Sequence, residues 1–241
     1  MSKRAVQALL ATLWGTASSP ALAQGVSSGA QSDVRAAVGL VSGTYSQGSA
    51  NSQMDASDQS APVKTAGAAA DLGFVLYDVD TDLRYLSASA KDNDWYRSRQ
   101  ELSLMIGPRL AAAPWVIPSA GFYQLSQASD RTVADAPIAF IDHTTTLALG
   151  VRFAGMPFEV DGHGLLLRGR LAYLTSGEAK TNFGDLQEFA VGYGYKAGSL
   201  ETGLTAGVTR TFLSAGTERS GVSRTVRETN QSTLVSVYVE Y

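Results

Sequence analysis

The chain has 241 residues, with 19 basic and 22 acidic side chains, 24 glycines and no cysteine. The missing cysteine excludes a disulfide framework and any thiolate site, and a mildly acidic balance without a basic run gives nucleic-acid binding little electrostatic support. The length suits one domain.

At the N-terminus, Lys3 and Arg4 precede a mostly apolar run from Ala5 to Trp14, and Ala21-Leu22-Ala23 is a small-x-small cleavage site. That is the plan of a secretory signal peptide over residues 1–23. Its removal takes two basic residues and no acid, so the net charge moves from −3 to −5. Residues 24–32 are polar and glycine-rich, a flexible leader before a single domain over 33–241. No later stretch approaches the ~18 apolar residues of a spanning helix.

Period-two alternation predicts ten strands. The first, 33–45, carries Val34, Ala36, Val38 and Leu40 on one face, and a polar stretch over 46–62 reads as a long loop. The second, 63–77, sets Ala66, Ala68, Ala70, Leu72, Phe74 and Leu76 against Thr65, Gly67, Asp71 and Gly73, and 78–81 is a short connection. In the third, 82–90, Leu83/Tyr85 and Leu86/Ala88 compete for one face; 91–97 is a polar loop. The fourth, 98–107, opposes Leu102, Leu104 and Ile106 to Glu101, Ser103 and Met105, and 108–114 is a turn. The fifth, 115–127, contains Pro118, which marks a bulge or a strand end because proline has no ladder donor; 128–142 is the second long loop.

The sixth, 143–153, opposes Leu147, Leu149, Val151 and Phe153 to Thr146, Ala148, Gly150 and Arg152, with a turn over 154–162. The seventh, 163–175, sets Leu165, Leu167, Leu171 and Tyr173 against Arg168 and Arg170, with a loop over 176–184. The eighth, 185–196, opposes Phe189, Val191, Tyr193 and Tyr195 to Glu188, Ala190, Gly192 and Gly194, then turns tightly. The ninth, 200–213, faces Leu204, Ala206 and Val208 away from Glu201, Gly203, Thr205 and Gly207, and 214–230 is the third long loop. The tenth, 231–241, puts Thr233, Val235, Val237, Val239 and Tyr241 on one face and Ser236, Tyr238 and Glu240 on the other.

An unbroken apolar face ending on an aromatic residue resembles the closing strand of a bacterial outer-membrane β-barrel. The loop lengths agree, since long connections alternate with short ones. The expected fold is therefore all-β: a single closed antiparallel transmembrane barrel of about ten strands, with eight and twelve as the alternatives. The resemblance implies the outer membrane of a Gram-negative cell, lipopolysaccharide and outer-membrane lipid as surroundings, and recognition of the C-terminal strand by the barrel assembly machinery.

The apolar faces carry no charge over four or five successive positions, whereas the opposite faces carry Gly, Ala, Thr, Ser and isolated charges. A charge facing lipid near the midplane costs about 2–4 kcal/mol, so Asp71, Glu101, Arg152, Arg168, Arg170, Glu188 and Glu201 are assigned to a lumenal ion-pair network that plugs the barrel. A selectivity ring in a small pore is the alternative. Val235, Val237, Val239 and Tyr241 form the lipid face of the closing strand, and Trp115, Tyr173, Tyr193, Tyr195 and Tyr241 are candidates for interfacial girdles.

Catalytic chemistry finds little material. The two histidines follow acids, in Asp142-His143 and Asp161-Gly162-His163. Outer-membrane proteases of the omptin family pair two aspartates in one outer loop with Asp-His in another; Asp92-Asn93-Asp94 resembles the first half, and 176–184 contains no histidine. His143-Thr144-Thr145 departs by a threonine from the His-x-Ser of barrel lipid-A deacylases. No set supplies nucleophile and base together, no metal spacing or phosphate loop is present, and no cofactor is expected. Arg219, Arg224 and Arg227, among Glu218 and Glu228, suit lipopolysaccharide phosphates or a solvated mixed-charge loop.

The run Asp161-Gly162-His163-Gly164-Leu165-Leu166-Leu167-Arg168, with Tyr173 and Val191-Gly192-Tyr193, resembles a stretch of the barrel family encoded with bacterial cellulose synthase. That resemblance implies a polysaccharide-export accessory. The leading expectation is a non-enzymatic barrel with exposed loops, in an envelope structural or surface-interaction role. A small pore or export barrel is second, and a barrel hydrolase of lipid or peptide third.

Overall fold

The computed structural model describes residues 33–51, 54–59, 62–92, 95–129, 132–133, 136–137, 141, 143–176, 181–219 and 222–241. The signal peptide and leader assigned to residues 1–32 lie outside the described residues. The barrel strands are β1 (Asp33–Asn51), β2 (Val63–Leu76), β3 (Val79–Asp92), β4 (Trp95–Pro108) and β5 (Val116–Ser129). They continue as β6 (His143–Val160), β7 (His163–Ser176), β8 (Thr181–Ala197), β9 (Leu200–Arg219) and β10 (Val222–Glu240). Each strand pairs antiparallel with its chain neighbours, and β10 pairs antiparallel with β1, which closes the ring. At the seam the Val34 amide donates to the Tyr241 carbonyl at 2.8 Å and the Tyr241 amide donates back at 2.9 Å. Closure leaves no edge among the ten barrel strands where they form the ring. The expected single closed ten-strand barrel is the fold observed, and no described residue is helical.

The ladder is strongly staggered. From Val38, registered partners lead one way through Ala70, Tyr85, Leu102 and Gln124 to Thr145. The other way they lead through Val237, Leu204, Tyr193 and Leu165 to Phe158, so the two paths meet β6 thirteen residues apart (158 against 145). One of those residues is absorbed by a bulge between β6 and β7 at Gly155–Met156. Such a stagger tilts the strands by roughly 40° to the axis, so a residue rises roughly 2.5 Å along it.

The expected faces are those observed. Val34, Leu40, Leu72, Phe74, Leu147, Leu149 and their equivalents on the other strands are exposed around the outside, while Asp71, Glu101, Arg152 and Glu188 are buried inside. On β3 the competition resolves with Leu83 outward and Leu86 and Ala88 inward. Pro118 sits two residues on the turn side of Ala120, the last β5 residue paired with β4 (to Ile106), where no ladder donor is needed.

The connections differ from expectation, for two reasons. The turn between β2 and β3 is only Tyr77-Asp78, both with positive φ (51° and 63°), the type I′ geometry that matches strand twist. Residues 79–81 are thus strand. The segment 154–162 is not a turn: β6 runs on to Val160 through its bulge and turns at Asp161-Gly162 (φ 53° and 78°). At the other end the ladders outlast the apolar pattern. β9 and β10 stay paired up to Arg219↔Val222, so most of the predicted 214–230 loop is strand, as are parts of 46–62, 91–97 and 176–184. Residues 54–59 pair back on β1, and Thr132–Val133 pairs with Ala136–Pro137.

The extension has an inverted interior. Lower on the strands apolar residues face out and polar ones in. Higher up, Leu125, Leu174, Leu186, Leu213 and Val226 face in and cluster with Ile141, while Thr44, Arg227 and Gln231 lie on the outside. Buried Arg97, Gln127 and Glu228 share that upper interior with the apolar cluster.

Candidate functional site

The site that the fold builds is the lumen. Among the described residues eight arginines and eight carboxylates form ion pairs there and at its short-turn rim. They form a column. At the short-turn rim Arg109 meets Asp33 at 3.0 Å, Asp80 at 3.2 Å and Glu240 at 3.3 Å. Above it Asp80, fully buried, also receives Arg35 and, at 2.8 Å, Arg152. Arg170 then bridges Asp82 at 3.0 Å and Asp71 at 3.2 Å while donating to Ser103 Oγ at 2.7 Å. Arg84 pairs with Glu188, and Arg168 reaches Asp71 at 3.3 Å with its guanidinium 5.0 Å from the Tyr238 ring. Nearer the long-strand end Arg99 holds Glu101, and Thr211 donates to the same carboxylate at 3.2 Å.

The top of the column ties a loop residue to the wall. Glu228 accepts from Arg97 at 3.2 Å, from Gln127 at 2.6 Å and from the Ile141 amide at 2.9 Å; Gln127 also donates to the Ile141 carbonyl. Arg97 lies 3.8 Å from the Tyr45 ring centroid. Apolar clusters lie between the charges. Ala37, Leu166 and Tyr238 cluster with Met156, which the bulge turns inward over Gly194; a Cβ there would strike the Met156 sulfur. Val41, Ala69, Leu86, Ala88 and Leu234 form a second cluster. A cavity of about 20 Å³ beside Arg35, Asp82, Arg152, Arg168, Arg170 and Glu188 has room for water and nothing larger.

Of the seven charges assigned to the lumen from sequence, Asp71, Glu101, Arg152, Arg168, Arg170 and Glu188 lie in this column. Glu201 faces inward at the short-turn end, registered beside Glu240; its Oε1 has no hydrogen-bond partner among the described residues. Arg35, Asp80, Asp82, Arg84, Arg97, Arg99, Arg109 and Glu228 were not among the seven. Asp80, Arg97 and Glu228 fell in segments read as connections. Period two was available as a signal, since Asp80, Asp82 and Arg84, like Arg97, Arg99 and Glu101, recur at every second position.

Val235, Val237, Val239 and Tyr241 are exposed on the outside of the seam. Trp115, Tyr193, Tyr195 and Tyr241 lie toward the short-turn end, where Trp115 is 6.5 Å from Phe153 and His163 is 4.7 Å from Tyr195. Tyr173 lies higher on β7. The histidines stand at opposite ends of the barrel, His143 at the long-strand end of β6 and His163 at the turn before β7, hydrogen-bonded to Tyr193. Asp142, Asn93 and Asp94 are outside the described residues, as are the side chains of Arg219 and Arg224. Glu228, read as a loop acid, points into the lumen.

The class is decided by the closed antiparallel ring: an even strand number, an apolar outside, a charged inside, short turns at one end and tall hairpins at the other. The fold is that of an outer-membrane β-barrel. No family model matches the chain, and no curated protein matches it. Among solved structures the barrel is similar to the translocator domain of the autotransporter NalP from Neisseria meningitidis, at 16% identity and a TM-score of 0.44 over 98% of this chain and 96% of that one. It is also similar to Neisserial surface protein A (12%, TM-score 0.26, 87% and 98%). A Pseudomonas aeruginosa FadL homologue gives 12% identity and a TM-score of 0.30 over 88% and 90%.

Proposed function

We propose that the chain is a sealed, non-catalytic barrel of the bacterial outer membrane, acting as an envelope element whose tall hairpins meet the cell exterior. The observation that carries this reading is the lumen itself: among the described residues its charges stand in balanced ion pairs interleaved with apolar clusters. Removing one partner of a buried pair strands the other, so a lumen built of pairs resists hydration more than a ring of one sign does.

The outer band supports the location. Its exposed apolar positions run round the lower part of every strand, and Tyr241 lies on the short-turn side, the periplasmic side of such barrels. In this orientation β10 is the strand that the assembly machinery reads, and lipopolysaccharide surrounds the upper wall. The wide separation of His143 and His163 supports a non-enzymatic role, because neither joins the other in one acid–base site.

Proteoliposomes test the reading. Vesicles carrying the folded barrel and loaded with a small anionic dye should release it no faster than empty vesicles. Rapid release that scales with barrel content would favour a pore.

A further inference from the structure

We propose that the outer wall of β7, β8 and β9 carries a site for an organic ammonium cation, built from Asp185 and three aromatic rings. It goes beyond the envelope role above and needs only the barrel wall, so conductance through the lumen would leave it standing. The ladder assembles it: Tyr173 on β7 registers with Asp185 on β8, and Asp185 registers with Phe212 on β9. Registered neighbours on one face stand with their β-carbons roughly 5 Å apart, so the carboxylate has a ring on each side. Phe183 is the next outward residue above Asp185 on β8. Its ring centroid lies 5.7 Å from that of Phe212, with the two planes at 44°. Tyr173 and Phe183 are exposed, and Asp185 and Phe212 are half-buried.

The charge of Asp185 has no counter-ion among the described residues. Its hydrogen bond comes from the Gln187 amide, which donates to Oδ1 at 3.0 Å. A neutral donor orients the carboxylate without balancing its charge. Arg210, the base that registers with Gln187, makes no ion pair with Asp185 among the described residues. A carboxylate held in this way beside three rings leaves one oxygen open to a cation from outside.

The rings decide which cation fits. Their faces are electron-rich and attract a cation within about 6 Å of the ring centroid, most of all a broad ammonium group that sheds its water easily. A calcium or magnesium ion fits poorly, because one carboxylate supplies too few oxygens and the rings supply none. Nor are Phe183 and Phe212 the top of the lipid-facing band. On β8 and β9 the polar pair Gln187 and Arg210 separates them from exposed Phe189 and Val208 below.

The test uses full-length mature barrel in a nonionic detergent, with the folding of every variant checked first by its heat-modifiable shift on gels. Saturation-transfer NMR reads the trimethylammonium protons of choline, with its uncharged carbon isostere dimethylbutanol run beside it. The native chain should bind choline in preference to the isostere. Asp185→Asn should weaken binding about fivefold, and Tyr173→Leu or Phe212→Leu about two- to fivefold each. Tyr173→Phe keeps the ring and should bind as the native chain does, as should Tyr193→Leu at the opposite end. Arg210→Gln removes a like charge and should tighten binding, a gain that misfolding cannot mimic. A short-chain phosphatidylcholine that displaces choline well below equal concentration assigns the ammonium to a lipid headgroup; displacement only at equal concentration or above assigns it to a free cation. No transfer to the native chain would overturn the site, as would equal binding of the isostere. Asp185→Asn and both ring variants binding as the native chain does, or Arg210→Gln binding more weakly, would overturn it too.

Discussion

Arg170 shows how much one side chain can hold. It meets Asp71 and Asp82 and donates to Ser103, with Glu188 3.7 Å away. Arg170→Met keeps the volume and removes the charge, so three carboxylates lose a counter-ion. Breaking such a buried pair costs about 3–5 kcal/mol, and urea unfolding in micelles should show a loss of that order. Tyr77 is a smaller case with the opposite sign. It occupies a left-handed position of a type I′ turn (φ 51°), which a tyrosine tolerates poorly and an asparagine well. Tyr77→Asn should therefore raise the urea midpoint, by about 0.5–1 kcal/mol in stability.

At the scale of the strand, the outside changes from apolar to polar within a few residues. Val237 and Thr44 both face outward, Val237 in the apolar band and Thr44 above it. Val237→Arg should cost about 2–4 kcal/mol in lipid, with Thr44→Arg nearly neutral. Comparing their unfolding in the same bilayer measures where the band ends. The same change of surroundings decides what could be read from the sequence. Leu204, Ala206 and Val208 announce β9 because one face meets lipid and the other the lumen. Beyond Thr209 the apolar side switches inward, to Leu213 and Ala215, and the alternation loses its phase although the backbone ladder continues. The strand cores, the ring and seven of the inward charges were therefore legible. The tall hairpins were not, nor was the bulge at Gly155–Met156, which no local pattern marks. Asp80 was hidden by a turn two residues long where four were expected. The partners within the lumen were beyond reach, because Arg84 and Glu188 are 104 positions apart in the chain.

At the scale of the whole molecule the barrel resembles two cores in series. In the lower part, lipid surrounds an apolar wall and the inside is held by ion pairs. In the upper part, an apolar cluster around Leu125, Leu174, Leu213 and Val226 shares the inside with the Glu228, Arg97 and Gln127 network. Both parts combine ion pairs with apolar clusters, so on the sealed-barrel proposal neither high salt nor the loss of one pair should open the lumen fully. Single-channel recording in planar bilayers tests this most directly. The native barrel, inserted and folded, is predicted to give no resolved conductance steps, at low salt or at high. Regular open steps from the native chain would contradict the sealed lumen.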